Sequence, residues 1–122
     1  MKDNANAYQQ LHTHFDKIGE LENIAEIAYW DEATMMPEGS GETRGKSLAT
    51  LSGVIHELKT EQKIGDWLLE SEGDNSLDLW QKANVFEIRR IFDECSAIPV
   101  TLEEELEQRS FKSEQAWRNY RA

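Results

Sequence analysis

Histidine and glutamate stand side by side at residues 56 and 57, at the start of the stretch "HELKT". A catalytic zinc site of the H-E-x-x-H type needs two imidazoles one helical turn apart, with a glutamate next to the first imidazole acting as the base. His56 and Glu57 begin such a motif, but its fifth position is Thr60. Because one imidazole cannot hold a catalytic zinc, we expect no zinc site at this position.

The other histidines also lack partners for a metal site. A carboxylate-bridged pair of metals in a helical bundle uses Glu-x-x-His pairs on inward faces. The residues three positions before the histidines are Gln9, Leu11 and Gly53. His12 and His14 are two residues apart, which places them on different sides of a helix. We interpret both as ordinary surface or boundary histidines.

The sequence does not support nucleophilic or phosphate chemistry either. Cys95 lies on an apolar helical stripe, which favours a small hydrophobic side chain over a nucleophile. The segment "GSGETRG" at 39–45 lacks the preceding strand that a phosphate-binding loop requires. We therefore expect no catalytic residue, no metal ligand and no cofactor site in this chain.

Charge and cysteine content narrow the choice of partner and compartment. The chain has 24 acidic and 13 basic side chains, a formal net charge of -11. This charge repels phosphates, so nucleic acid and anionic membranes are poor partners, although solubility alone also explains it. One cysteine excludes an internal disulfide, and we find neither a signal peptide nor an apolar run long enough to span a membrane. We expect a cytoplasmic protein.

Apolar residues recur at helical spacing throughout, which predicts an all-α fold with one domain over residues 1–122. Short connections favour antiparallel neighbours in a helical bundle or array. The five predicted helices cover approximately residues 5–30, 40–58, 61–72, 76–96 and 102–121.

Capping residues suggest where the helices begin. We expect Asn4 or Asn6 to cap the first helix, Thr60 the third and Ser76 the fourth. Thr101 has the capping-box spacing with the glutamate three residues later, which predicts the start of the fifth helix.

The turn after the first helix concentrates unusual residues. Pro37 cannot continue a helix, and the glycines that follow permit a reversal, so helices one and two should form an antiparallel hairpin. Asp31 faces the negative end of the helix dipole, and Arg44, on the first turn of the second helix, is the nearest cation.

We expect Asp31 and Arg44 to form an ion pair, with the guanidinium able to bond the carboxylate at two points and with Trp30, Met35 and Met36 packed beside it. The alternative is a surface prepared for another part of the same protein. The predicted structural corner consists of Trp30, Asp31, Thr34, Met36, Pro37 and Arg44.

The segment "YWDEATMMPEGSGETRGKSLATLSGVIHEL" resembles the N-terminal region of the Taq-type thermostable metallocarboxypeptidases. That family has a similar W-D-x-x-T-x-M-P corner, then a helix with an early arginine and an L-A-x-L pattern. "NVFEIRRIFDECSAIPVTLEEEL" and "SEQAWRNYRA" continue the likeness, so it covers essentially the whole chain. Phe86 and Cys95 depart from the pattern, where a basic and a small residue are expected.

The resemblance implies an all-helical enzyme of several hundred residues that removes C-terminal residues from peptides. It implies zinc or another divalent metal in the parent enzyme, a homodimer, and an H-E-x-x-H motif far downstream of these residues. This chain would then supply a wall, a lid or a dimer surface, with the remaining catalytic portion as its partner and no activity alone. We accordingly expect Ala122 to be a cut through a longer protein.

Two other classes remain as alternatives. A stand-alone helical protein–protein interaction module would also show amphipathic helices, four tryptophans and no catalytic site. An acidic mimic of a polyanion would fit the net charge, but its acids should cluster on one face. We also expect the isolated chain to self-associate through apolar residues such as Phe86 and Phe111.

Overall fold

The computed structural model describes residues 5–121, which form five α-helices and no strand. This confirms the all-α prediction and the number of helices. No helix in this range is both long enough and apolar enough to cross a membrane. The helices are α1 (Ala7–Thr34), α2 (Gly41–Lys59), α3 (Gln62–Glu72), α4 (Leu79–Ser96) and α5 (Val100–Arg121).

The first and fourth helices begin with complete capping boxes. Asn6 accepts from the backbone N–H of Gln9 and its own N–H donates to the Gln9 side chain, as Asp78 does with Gln81. Asn6 was one of the two predicted caps, while Asn4 lies outside the described residues. These reciprocal bonds satisfy two N–H groups that a helix start leaves without partners.

Three predicted caps are wrong. Ser76 bonds Asp74 in the preceding turn and does not cap α4. Thr60 is the C-cap of α2, and its hydroxyl donates to the carbonyl of His56. Thr101 lies inside α5, whose first turn uses the Pro99 carbonyl as an acceptor. In each case the residue type suited a cap, but the helix boundary lies one or two residues away.

Helix α1 is four residues longer than the latest predicted end, Trp30, and stops at Thr34. A helix of 28 residues is about 42 Å long. This length lets one helix contact two separate groups of elements, since α1 packs against both α2 and α3.

The first group is an apolar core between the N-terminal half of α1, α3 and α4. Phe15, Trp67 and Phe92 pack against its edge. Leu11, Ile64 and Leu68 are fully buried within it. The core residues are Tyr8, Leu11, Ile64, Leu68, Leu77, Val85 and Ile88.

The second group is the antiparallel contact between α2 and α5, the most extensive contact between helices. Small residues follow one another at every fourth position of α2, namely Gly41, Gly45, Ala49 and Gly53. The Phe111 ring lies against Gly45, where an added methyl group would be 2.9 Å from its Cδ1 atom. Phe111 is therefore buried, and its predicted role as an exposed residue is wrong, whereas Phe86 is 74% exposed.

Replacing Gly45 by alanine is expected to lower the free energy of unfolding by up to about 2 kcal/mol. The added methyl group overpacks the contact at a cost of about 1–3 kcal/mol, and alanine's higher helix propensity offsets about 1 kcal/mol of this. Urea denaturation followed by circular dichroism measures the change.

Gly19 provides the matched control, because it also lies inside a helix but an added methyl group there meets no atom within 4 Å. Gly19→Ala is expected to raise the free energy of unfolding by about 0.5–1 kcal/mol. Effects of the same sign and size at both glycines would contradict a close contact at Gly45.

Candidate functional site

The structural corner joins α1 to α2 through a short, hydrogen-bonded reversal. The carbonyl of Asp31 accepts from the backbone N–H groups of Met35 and Met36, both at 2.8 Å. Pro37 follows, and Gly39 has a φ of 88°, a left-handed conformation that glycine adopts without strain. The predicted antiparallel hairpin is therefore present.

Asp31 and Arg44 meet across this reversal, as predicted. The Arg44 Nη2 atom lies 2.7 Å from Asp31 Oδ2, and Arg44 Nη1 donates to the carbonyl of Ala28 at 3.0 Å. The guanidinium thus divides its donors between the carboxylate and a backbone carbonyl, and the predicted two-point bond to the carboxylate is absent. Both acceptors lie near the negative end of the α1 dipole, where a cation is stabilising.

The apolar residues of the corner are not packed around this ion pair as predicted. Trp30 is 62% exposed and Met35 is 70% exposed, and only Met36 is half-buried. The Thr34 hydroxyl donates to the carbonyl of Trp30, which closes the last turn of α1. At this level of α1, polar side chains reach α5 instead.

Two of those polar residues bond α1 to α5, and the sequence did not single them out. Glu32 is buried and accepts from Gln115 Nε2 at 2.8 Å. Burial raises the pKa of Glu32, and the bond from Gln115 acts in the opposite direction. Tyr29 donates to Glu107, and burial together with this carboxylate raises the Tyr29 pKa. Apolar side chains recur along α1 at spacings of three and four residues, and Tyr29 and Glu32 continue this spacing after Ala25. This periodicity is the signal that could have identified them.

A groove of about 980 Å³ lies beside the corner, between the start of α2 and the second half of α5. Met36, Pro37 and Phe111 supply apolar surface, and Lys46 and Arg118 are among the charged groups that line it. The groove is lined by glutamates and basic residues but by no histidine or cysteine, so it offers neither an imidazole nor a thiol nucleophile.

A second cavity of about 400 Å³ is lined by His56 and Cys95, two of the residues whose types could do chemistry. His56 is buried and its Nε2–H donates to the carbonyl of Ile98 at 2.5 Å, which ties α2 to the connection before α5. Burial raises the pKa of the Cys95 thiol and so disfavours the reactive thiolate. Lys59 is paired with Glu22 at 2.6 Å. His56 and Lys59 therefore connect α2 to neighbouring segments of the fold.

The remaining histidines have structural contacts, one within α1 and one between α1 and α2. His12 is exposed and lies 3.1 Å from Asp16, and the Nε2–H of His14 donates to the carbonyl of Leu58 at 2.6 Å. Within residues 5–121, no three histidine, cysteine or acidic side chains are grouped so that they could hold a metal ion.

Arg44→Ala is expected to lower the free energy of unfolding by about 1–3 kcal/mol, because it leaves a half-buried carboxylate and a carbonyl without their donor. Lys46→Ala is the control, since Lys46 forms only an exposed pair with Glu42 at 3.3 Å. This control should change the value by at most about 0.5 kcal/mol. Equal losses in the two variants would show that the corner does not depend on Arg44.

Glu32→Gln is expected to stabilise the fold at neutral pH. The pKa of Glu32 is raised above its ordinary value of 4.5, so the folded state favours the protonated acid. The stability that Glu32 contributes is therefore present at pH values below 4.5 and is lost as the pH rises through the higher folded-state pKa. We expect the stability advantage of the variant to grow as the pH rises from about 4 to about 7. Thermal unfolding of both proteins across this range measures it. A constant difference would contradict this.

Comparison with known proteins gives a consistent result. Residues 10–122 match the family model described as carboxypeptidase Taq (M32) metallopeptidase. The chain is 33% identical over 118 residues to the protein named thermostable carboxypeptidase 1 of Thermus thermophilus. This alignment covers 94% of the chain and 23% of the relative, so the chain spans about a quarter of the relative's length. No solved structure matches significantly.

The family match includes the structural corner, the small residues at every fourth position of α2 and all of α5. It confirms the resemblance that the corner and the segments around α4 and α5 indicated. The chain belongs to the carboxypeptidase Taq (M32) metallopeptidase family.

Proposed function

We propose that this chain is the N-terminal helical portion of a metal-dependent carboxypeptidase that removes C-terminal residues from peptides. The observation that carries the proposal is the family match over residues 10–122, together with a relative that is named a carboxypeptidase and is about four times as long as the aligned segment. Zinc or another divalent metal, and the residues that bind it, would lie in the remaining catalytic portion, which is this chain's main partner.

The residues described here do not fit a catalytic metal. No suitable group of three ligands is present in residues 5–121, and the Nε2–H of His56 is bonded to a backbone carbonyl. The chain would therefore contribute a wall, a lid or a contact surface. The ion pair at the α1–α2 corner and the close α2–α5 contact support such a structural role, because they join three helices to one another.

Assembly and location complete the proposal. The outward side of α1 carries Ile24, Ile27 and Trp30, each more than half exposed, which suits a contact between subunits of a homo-oligomer. The single cysteine supports a reducing compartment such as the cytoplasm.

The second candidate function is a stand-alone helical interaction module. The exposure of three tryptophans, at positions 30, 80 and 117, favours it, because aromatic side chains are enriched in protein interfaces. The reading frame beyond codon 122 separates the two candidates. An H-E-x-x-H motif in the continued frame, with metal-dependent release of C-terminal amino acids by the complete protein, supports the carboxypeptidase, and a frame without that motif overturns it.

The isolated 122-residue chain is expected to bind no catalytic metal and to release no C-terminal amino acids from peptides. Zinc content measured after dialysis and a peptide-cleavage assay with added zinc test this. Stoichiometric zinc together with activity that His56→Ala abolishes would contradict the prediction.

Self-association of the isolated chain is expected at high concentration, because exposed apolar patches tend to find a cover. Sedimentation velocity over a concentration series measures it. Ile27→Glu should shift association to higher concentration, whereas Ser47→Glu, at an exposed polar position of α2, should have little effect. A monomer at every concentration would contradict the prediction.

A further inference from the structure

Helix α5 has two faces of different character. Its inward face carries Phe111, the one buried residue of the helix, together with Gln115 and Glu107, which bond α1. Its opposite face carries large apolar side chains that the rest of residues 5–121 leaves exposed. Leu102, Leu106, Trp117 and Tyr120 are between 52% and 91% exposed. We call these four residues, with Arg109 and Ser113 between them, the outer face of α5.

The spacing of the outer face matches the seam of a helix pair. Residues 102, 106, 109, 113, 117 and 120 are separated by steps of three and four, which keeps them on one side of a helix as the a and d positions of a heptad do. A helix of 22 residues is about 33 Å long, so the seam can accept a second helix of about five or six turns.

Charge along α5 indicates the direction of that second helix. The acidic residues Glu103, Glu104, Glu105 and Glu107 lie in its first half. The basic residues Arg109, Lys112, Arg118 and Arg121 lie further along, with Glu114 as the exception. Helices tend to carry acids near their N-terminus and bases near their C-terminus. A helix of this usual kind is complementary to α5 in charge when it runs antiparallel to it.

We propose that the outer face of α5 is the docking site for an amphipathic helix from the remaining part of the same metallocarboxypeptidase, packed antiparallel to α5. This inference rests on the proposed function. The aligned segment covers only 23% of the relative, so most of a protein of that length lies outside this chain and is available to cover the seam. Opposite Arg109 and Ser113, the docking helix carries a polar or acidic residue.

A second copy of α5 fits the seam less well. Antiparallel self-pairing that sets Leu102 against Tyr120 would place the two Arg109 side chains about 6 Å apart along the helix axis. Each Arg109 is already paired with Glu105 of its own helix at 2.7 Å, so a second copy would set two such pairs side by side without adding an opposite charge, whereas a different helix can offer a further carboxylate at this position.

Thiol labelling of single-cysteine variants tests the proposal. In a Cys95→Ser background, Leu106→Cys reports on the outer face, and Asp66→Cys, at an exposed polar position of α3, is the control. The labelling rate of Leu106→Cys should be at least about tenfold lower in the complete protein than in the 122-residue chain at concentrations where that chain is monomeric. The control should label at similar rates in both. If Leu106→Cys does not fold, Leu102→Cys gives the same measurement.

Equal labelling of Leu106→Cys in the two proteins overturns the proposal. Protection that is present in the 122-residue chain and disappears on dilution also overturns it, in favour of a second copy. Peptidase activity is measured separately, so a complete protein that is active but labels rapidly at position 106 rejects the docking helix and leaves the proposed function intact.

Discussion

The close contact between α2 and α5 is the constraint on which the C-terminal part of this structure depends. Phe111 is the one buried residue of α5, and it is accommodated because Gly45 has no side chain. Burying one such ring contributes about 1.5–3 kcal/mol, which is little for a helix of 22 residues. The position of α5 therefore also depends on the polar bonds that it makes with α1, through Glu32 and Tyr29.

Those polar bonds require that α1 and α2 meet at a fixed angle, which the structural corner provides. Arg44 joins the α2 start to the last turn of α1 through Asp31 and the Ala28 carbonyl. Glu32, one residue after Asp31, is thereby held at the level of Gln115. The corner thus acts on α5 indirectly, by positioning the α1 residues that α5 contacts.

Sequence patterns predicted the helices and the ion pair of the corner well, because both follow from short-range rules. Helical periodicity, the proline–glycine turn and the need for a cation near Asp31 all act within one hairpin.

The caps at Ser76, Thr60 and Thr101 were misplaced because several suitable residue types stand within three positions of each other. The burial of Phe111 and Glu32 depends on contacts between α5 and residues more than 60 positions earlier, which periodicity within one helix does not encode. The repeat of small residues at every fourth position of α2 was the available signal for a close helix contact.

The two halves of the structure are stabilised in different ways, and this difference bears on function. The core between α1, α3 and α4 is apolar, and its seven buried residues come from three helices and one connection. The α5 side relies on one buried ring and several polar bonds, including the bond from Ser52 to Glu103. A segment with few buried apolar contacts opens at lower free energy than a segment in a full core. An additional helix on the outer face would bury Leu102, Leu106, Trp117 and Tyr120 and so give α5 the apolar contacts that the other helices already have. In the proposed enzyme, the catalytic portion would therefore stabilise α5 further.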